Sequence, residues 1–312
     1  QRKVQGQQRT FGNMYPFQST RLWRGHQGAI YDLVWHPQAN AWLSAGGDGV
    51  VASWQENNDH GKAIFQHESA FYSVQALGGG TVAGNSSGEI FWTLGEVVKK
   101  YTAHKSAVFG FGIDAEGRLW SGDGTGNIAI WTPHAQGLEL TAMWATGLGK
   151  IRHLAPFGMQ MIVASSSGKW SVFSLEGKIS MEVQAHARSC YWALAHPNKE
   201  GVVLSGGQDG ELTVHQGSEE IMRLAVHQSA VYRGVIQNQI LWTAGRDKEA
   251  KAWSLDKLES LGKLALPHTR SINALALGGI DNKLLGTGSD DRSLKLWAQK
   301  EGSEATGAPR SS

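Results

Sequence analysis

Three sets of His, hydroxyl, Asp and Trp side chains occur in the sequence at similar spacing. They are His26–Ser44–Asp48–Trp54, His227–Thr243–Asp247–Trp253 and His268–Thr287–Asp291–Trp297. A hydroxyl, an imidazole and a carboxylate are the groups that a hydrolase uses as nucleophile, base and orienting acid. A catalytic set is needed only once, whereas this one is present in three complete copies. The repetition therefore favours a structural role over catalysis.

Each set lies within a unit of short strands. In the last copy, a small polar segment and a turn at Asp291 precede the strand Ser293–Trp297, in which Leu294 and Leu296 alternate with polar residues. Alternation with a period of two is typical of a half-buried strand. Another apolar strand, Ile272–Leu277, comes before them. One such unit cannot bury its own apolar faces, so it must pack against further copies.

The unit recurs about every 40 residues, which gives seven units. The first marker of each unit is His26, His67, His104, Gly147, His186, His227 or His268. The third strands end at Trp54, Thr93, Trp131, Phe173, His215, Trp253 and Trp297, and the turn position six residues earlier holds Asp48, Ser87, Thr125, Ser167, Asp209, Asp247 and Asp291. A fourth strand follows, as in Val97–Thr102, Ile179–Gln184, Ile221–Ala225 and Leu261–Leu266.

These markers give the chain a resemblance to the WD-repeat family over about residues 19–298. The Gly-His pair is present at Gly25–His26, and the tryptophan is present at Trp54, Trp131, Trp253 and Trp297. The resemblance implies an all-β fold, a seven-bladed β-propeller of four-stranded antiparallel blades around a central channel. It also implies that each complete set forms a buried chain of hydrogen bonds, from indole to hydroxyl to imidazole to carboxylate. The fourth unit lacks all four markers, with Gly147, Val163, Ser167 and Phe173 in their places.

Closure of the propeller is expected to come from the N-terminal strand. No fourth strand follows Trp297, whereas Thr20–Trp23 precedes the first histidine. We therefore predict that this strand completes the last blade and hides an edge that would otherwise favour aggregation. Residues 1–18 are predicted to form a polar extension outside the propeller, and residues 299–312 a disordered tail.

Composition narrows the classes of partner. The net charge is +2 over 312 residues, and no apolar run approaches a membrane span, so we expect neither nucleic acid nor a membrane as partner. A single cysteine, Cys190, rules out an internal disulfide, which is compatible with a cytoplasmic location. The remaining histidines show no metal-ligand spacing. We expect a monomer without metal or cofactor.

The resemblance also indicates where a partner would bind. In this family the residue five positions after the first marker lies in the innermost strand, which often bulges and directs that side chain to the top of the channel. These residues are Tyr31, Tyr72, Phe109, Arg152, Tyr191, Tyr232 and Asn273. The residue before the turn position reaches the same face: Gly47, Ser86, Gly124, Ser166, Gln208, Arg246 and Asp290. Aromatic and arginine side chains are enriched in the hot spots of protein interfaces.

Two classes of function follow from this surface. The first is a non-catalytic platform that binds a protein or peptide segment at the aromatic mouth of the channel. The second is an enzyme or small-ligand binder, such as an aromatic cage for a methylated ammonium with Asp290 as counter-charge. The seven inner positions include no Asp, Glu, His or Cys, which favours the platform. It stays open whether the aromatic side chains are exposed for binding or packed between blades.

Overall fold

The computed structural model describes residues 14–300, in which 28 strands form seven four-stranded antiparallel sheets. The predicted seven-bladed β-propeller is confirmed. The predicted polar extension and C-terminal tail lie mostly outside the described residues. Within residues 14–300, a 3-10 turn at Ile280–Asn282 is the one helical element, and no helix is long and apolar enough to cross a membrane.

The strands follow one another from the channel outwards within each blade. The first described strand is β1 (Phe17–Arg24). Blade 1 contains β2 (Ile30–His36), β3 (Ala41–Gly46), β4 (Val50–Trp54) and β5 (Lys62–Gln66); blade 2 contains β6 (Phe71–Leu77), β7 (Gly80–Asn85), β8 (Glu89–Leu94) and β9 (Val97–Thr102); blade 3 contains β10 (Val108–Ile113), β11 (Leu119–Asp123), β12 (Asn127–His134) and β13 (Gly137–Ala145). Blade 4 contains β14 (Ile151–Phe157), β15 (Gln160–Ser165), β16 (Lys169–Phe173) and β17 (Ile179–Gln184); blade 5 contains β18 (Cys190–Ala195), β19 (Val202–Gly207), β20 (Glu211–Gln216) and β21 (Glu219–Ala225). Blade 6 contains β22 (Val231–Gln237), β23 (Ile240–Gly245), β24 (Ala250–Ser254) and β25 (Ser260–Lys263); blade 7 contains β26 (Ile272–Gly278), β27 (Leu284–Ser289), β28 (Ser293–Gln299) and β1.

The N-terminal strand closes the propeller as predicted. β1 pairs antiparallel with β28, from Phe17 opposite Gln299 to Arg24 opposite Ser293. The strand is longer than the predicted Thr20–Trp23, because pairing continues along the whole of β28. Trp23 is 1% exposed, and its indole N–H donates to the carbonyl of Asn58 in blade 1 at 2.8 Å. The closing strand is therefore bonded to the last blade and packed on the first.

The core consists of apolar layers between neighbouring blades. Large indoles lie in these layers, and glycines face them where two blades come close. A Cβ atom added at Gly206 would lie 2.3 Å from Trp192, and one added at Gly234 would lie 2.6 Å from it. Contacts this short require a glycine on each side of the ring. The blades are thus held at a fixed spacing, which positions their inner strands around the channel.

Candidate functional site

A bulge in each inner strand presents one side chain at the channel mouth. The strand pairing shifts register at one residue in every blade, and that residue has no partner in the neighbouring strand. The seven bulged residues are the seven predicted inner positions: Tyr31, Tyr72, Phe109, Arg152, Tyr191, Tyr232 and Asn273. A bulge bends the strand and redirects a side chain, so it accounts for this set in every blade.

The bulged side chains contact one another around the mouth. The Tyr31 and Tyr72 rings are 4.9 Å apart, and Tyr72 stacks on Phe109 at 5.1 Å. The guanidinium of Arg152 lies 5.5 Å from the Phe109 ring and 5.3 Å from the Tyr191 ring. These contacts join blades 1 to 5 through ring stacking and cation–π pairs.

The series continues on the other side of the channel. Tyr191 meets Tyr232 edge-on at 5.0 Å. All five aromatic side chains are half-buried, so each ring packs against its neighbours and keeps part of its surface in solvent. We call Tyr31, Tyr72, Phe109, Arg152, Tyr191 and Tyr232 the mouth ring. Its members are neither fully exposed nor fully buried between the blades.

Polar groups complete the mouth at blade 7. The Asn273 amide donates to the Asp290 carboxylate at 2.7 Å and to the Ile30 carbonyl of blade 1 at 3.1 Å. Asp290 is half-buried, whereas Arg246 is exposed on the adjacent turn of blade 6. The structure therefore brings Asn273 and Asp290 into direct contact and leaves Arg246 at the rim.

The turns between the second and third strands hold the bulged segments by a repeated backbone bond. In every blade, the residue before the turn position donates its N–H to a carbonyl that precedes the inner strand. Examples are Gly47 to Ala29 at 2.7 Å, Arg246 to Ala230 at 2.9 Å and Asp290 to Ser271 at 3.0 Å. The conformation of each turn is thus coupled to the position of the ring residue beside it.

The predicted hydrogen-bond chains fix these turns. In blade 1, the Trp54 indole donates to Ser44 Oγ at 2.8 Å, Ser44 donates to His26 Nε2 at 2.7 Å, and His26 Nδ1 donates to Asp48 at 3.0 Å. The sets at His227 and His268 repeat this arrangement with a threonine hydroxyl. All three predicted chains are therefore present.

Blade 3 has a fourth complete chain that sequence spacing did not reveal. His104 Nδ1 donates to Asp123 at 3.0 Å, Ser121 donates to His104 Nε2 at 2.7 Å, and the Trp131 indole donates to Ser121 at 2.9 Å. The carboxylate comes from the end of β11, not from the predicted turn position, which holds Thr125. Thr125 instead donates its hydroxyl to Asp123 at 2.9 Å. A search of both positions would have found it.

The other three blades modify the chain. In blade 5, His186 still bonds Asp209 at 3.0 Å, but Thr213 takes the place of the indole on Ser205. Blade 2 has Asn85 and Glu89 near His67, at 3.5 Å each. Blade 4 keeps the smallest part of the chain, a single hydrogen bond of 2.8 Å between the hydroxyls of Ser165 and Ser167. Blade 4, which lacks every marker, also contributes Arg152 to the mouth ring.

The carboxylates of the chains remain ionised. Burial alone would raise the pKa of Asp291, but hydrogen bonds from His268 and Ser293 lower it well below its ordinary value. For Asp48 and Asp247, the hydrogen bonds from His26 and His227 likewise outweigh burial and lower the pKa of each carboxyl. These groups bind His and backbone N–H donors, so their role is structural.

A charged cluster lies in the channel beside the mouth ring, and of its four residues Arg152 is the one that the sequence predicted as a site residue. Asp32, Arg152, His153 and Arg233 line one cavity of about 140 Å³. Arg233 Nη2 lies 3.6 Å from Asp32 Oδ1, and Asp32 accepts the N–H of Val74 at 3.0 Å. Asp32, His153 and Arg233 each follow a bulged residue directly, so listing that position as well would have revealed them.

The comparisons with known proteins agree with this architecture. The WD40 family model (WD domain, G-beta repeat) matches residues 17–55 and 260–298. A search of curated proteins found no match. Among solved structures, the chain is similar to the crystal structure of the WD40 β-propeller domain of Doa1, with a TM-score of 0.81 and 17% sequence identity; the match covers 92% of this chain and 98% of that one. The matches therefore show WD40 repeats at residues 17–55 and 260–298, and they show that the chain has the fold of a WD40 β-propeller.

Proposed function

We propose that this propeller is a non-catalytic platform that binds an extended segment of a partner protein across the channel mouth. The observation that carries the proposal is the mouth ring: an unbroken series of half-buried aromatic rings with Arg152 in its midst. Rigid amphipathic rings offer apolar area to a partner at little entropic cost, since few torsions must be fixed. WD-repeat propellers typically act as scaffolds for other proteins, which is consistent with this role.

The charge of the surrounding loops indicates the chemistry of the partner. The loops at this end of the blades have seven exposed cationic side chains: Lys105, Lys150, Arg188, Arg246, Lys248, Arg270 and Arg292. The aspartates of these loops mostly bond histidines, Asp290 bonds Asn273, and Glu249 pairs with Lys263. Asp209 is also exposed but bonds His186, which leaves Glu68 as the exposed acid of these described loops without such a bond. Charge complementarity therefore favours a segment with an apolar anchor and an acidic neighbour.

The alternative functions find less support at the same mouth. A cage for a methylated ammonium needs a free acid among the rings, but Asp290 is hydrogen-bonded to Asn273, and the ring itself contains the cation Arg152. Among residues 14–300, no group of three or more His, Cys, Asp or Glu side chains could hold a metal ion. The acids nearest the ring are Asp32, opposite Arg233, and Asp290. The platform accounts for more of the geometry.

Truncation of ring residues tests the platform. The probe is a peptide selected by the full-length protein from a phage-displayed library of random peptides, then synthesised with a fluorescent label. We expect Tyr191→Ala or Tyr232→Ala to weaken binding by about 2 kcal/mol or more, roughly 30-fold, as at a hot spot. Stability should fall by clearly less than the ~3–5 kcal/mol lost on truncating a fully buried aromatic side chain, because both rings keep part of their surface in solvent.

A matched control separates binding from packing. Tyr101 lies on the outer strand of blade 2, where its hydroxyl accepts the Leu138 N–H at 2.7 Å and its ring meets Trp131 at 5.6 Å. Tyr101→Ala should therefore reduce stability and leave peptide affinity unchanged. If instead both ring variants unfold and the folded fraction binds like the parent, the ring is packing alone and the proposal is wrong.

A further inference from the structure

Two arginines line the channel cavity without a carboxylate in hydrogen-bond contact. Among the described residues, Arg152 makes cation–π contacts with Phe109 and Tyr191, but its Nε, which is buried, has no hydrogen-bond partner. Arg233 donates to the carbonyl of Tyr232 at 3.3 Å, and its distance of 3.6 Å from Asp32 is longer than a hydrogen bond. Both guanidinium groups thus keep unused N–H donors beside the same cavity.

A third polar group in this cavity also has an unused atom. His153 Nδ1 is buried and has no hydrogen-bond partner among the described residues. Burial, with the charge of Arg233 as a second cause, lowers the pKa of His153 to about 3, so the ring is neutral. An unpaired buried donor or acceptor is unfavourable, and such groups are normally bonded to protein, water or a ligand.

The charges of the side chains that line the cavity indicate the chemical class of its ligand. Arg152 and Arg233 contribute two positive charges and His153 none, and Asp32 contributes at most one negative charge because burial raises its pKa; at least one positive charge is therefore uncompensated at this cavity. The cavity of about 140 Å³ is roughly ten times the space that one water molecule needs. Guanidinium groups match the two oxygens of a carboxylate in a planar, bidentate geometry.

We infer that the channel below the mouth ring is a binding site for a carboxylate, held by Arg152 and Arg233 with His153 beside it. The carboxylate belongs either to a free small acid or to an acidic side chain of the partner segment that enters the channel. The site itself depends only on the residues of this cavity. The second source rests on the proposed platform function, so the two can fail separately.

The first experiment tests the site with acetate, against acetamide as the neutral probe of the same shape. In ¹⁵N-labelled full-length protein, the Arg152 Nε–H resonance is identified from its loss in Arg152→Gln and followed during titration at constant ionic strength. We expect a saturable shift with acetate and none with acetamide. Calorimetry should show acetate affinity at least about tenfold weaker in Arg152→Gln, since one charge-assisted bond is lost.

Control variants keep this test decisive. Lys283→Gln removes one positive charge from the loop at the opposite end of the propeller and should bind acetate like the parent. Arg152 has no ion pair to break, so Arg152→Gln should fold; Arg233→Gln is made together with Asp32→Asn to avoid leaving that carboxylate alone. No saturable shift, or an equal loss in Lys283→Gln and Arg152→Gln, would overturn the inference.

The second experiment identifies the source of the carboxylate. Peptides selected by the parent protein should be richer in Asp and Glu than those selected by Arg152→Gln, and acetate should compete with them. Replacing the acid of a selected peptide by its amide should abolish that competition. If acetate binds but the peptides lack an acid, the ligand is a free small acid. If acetate binds and no peptide is selected, the carboxylate site stands and the platform fails.

Discussion

The hydrogen-bond chain of blade 6 gives a quantitative test of the fold. His227 Nδ1 lies 2.9 Å from Asp247, and its Nε2 lies 2.8 Å from the Thr243 hydroxyl. The Trp253 indole donates to the same hydroxyl at 2.9 Å. The change His227→Ala removes the middle of this chain and leaves two buried polar groups with one partner fewer.

The size of the effect follows from what remains bonded. The loss of a hydrogen bond to a charged carboxylate and of one to a hydroxyl together should lower the free energy of unfolding by about 3 kcal/mol. The Asp247 side chain is only 7% exposed, so water cannot fully replace the imidazole. It retains the N–H groups of Gln228 and Glu249 at 3.2 Å each, which limits the loss.

His67→Ala is the matched control, because His67 occupies the same position in blade 2. Its side chain is 24% exposed, and its Nδ1 accepts the Ser69 N–H at 3.1 Å without a hydroxyl–indole chain behind it. We expect this variant to lose less than about 1 kcal/mol. Urea unfolding gives the free energies, and amide exchange in β22–β24 shows whether the loss is local. Equal losses in the two variants, or lost peptide binding in His227→Ala at unchanged stability, would refute the structural role.

Three other sets of variants test the closure of the propeller by β1, the buried neutral His153 and the hydrogen-bond chain of blade 3. Deleting residues 1–24 removes β1 and exposes the edge of β28, so gel filtration should show oligomers; a stable monomer would contradict closure by this strand. The pKa of His153 is lowered to about 3, below its unfolded value of 6.5, so its contribution to stability is complete above pH 6.5 and falls by about 1.4 kcal/mol per pH unit below it. Urea unfolding from pH 7 to pH 5 should show a shallower pH slope in His153→Gln than in the control His134→Gln. Asp123→Asn should lose about 2 kcal/mol, and Thr125→Ala clearly less, because Asp123 bonds His104; equal losses would assign the chain to the predicted turn position.

The sequence predicted the fold in detail because every blade repeats the same physical requirement. Val97–Thr102 and Ile179–Gln184 are strands with the predicted bounds. Strand ends moved where a neighbour extended the pairing, as in β1, which runs from Phe17 along β28. A period-two pattern indicates which face of a strand is buried, but it does not indicate how far the partner strand continues.

The site was predictable by register but not in its chemistry. Counting from the six histidine markers and Gly147 placed all seven bulged residues correctly, because the bulge lies at a constant position in each blade. The same count, taken one residue further, lists Asp32 and Arg233, but it does not show that they meet Arg152 in one cavity. These residues come from blades 4, 6 and 1, and only the closed ring brings them to one cavity.

Blade 4 shows how the propeller separates stability from binding. It has no His–Asp pair, and Ser165 and Ser167 bond each other where other blades bury a histidine and an aspartate. The same blade supplies both Arg152 and His153, whose Nε and Nδ1 are buried without partners among the described residues. Local rules of polar satisfaction are broken most often at functional sites, and neighbouring structure compensates. The complete chains lie in blades 1, 3, 6 and 7, so two of the four charged or titratable side chains of the cavity come from the blade that depends least on the repeated hydrogen-bond chain.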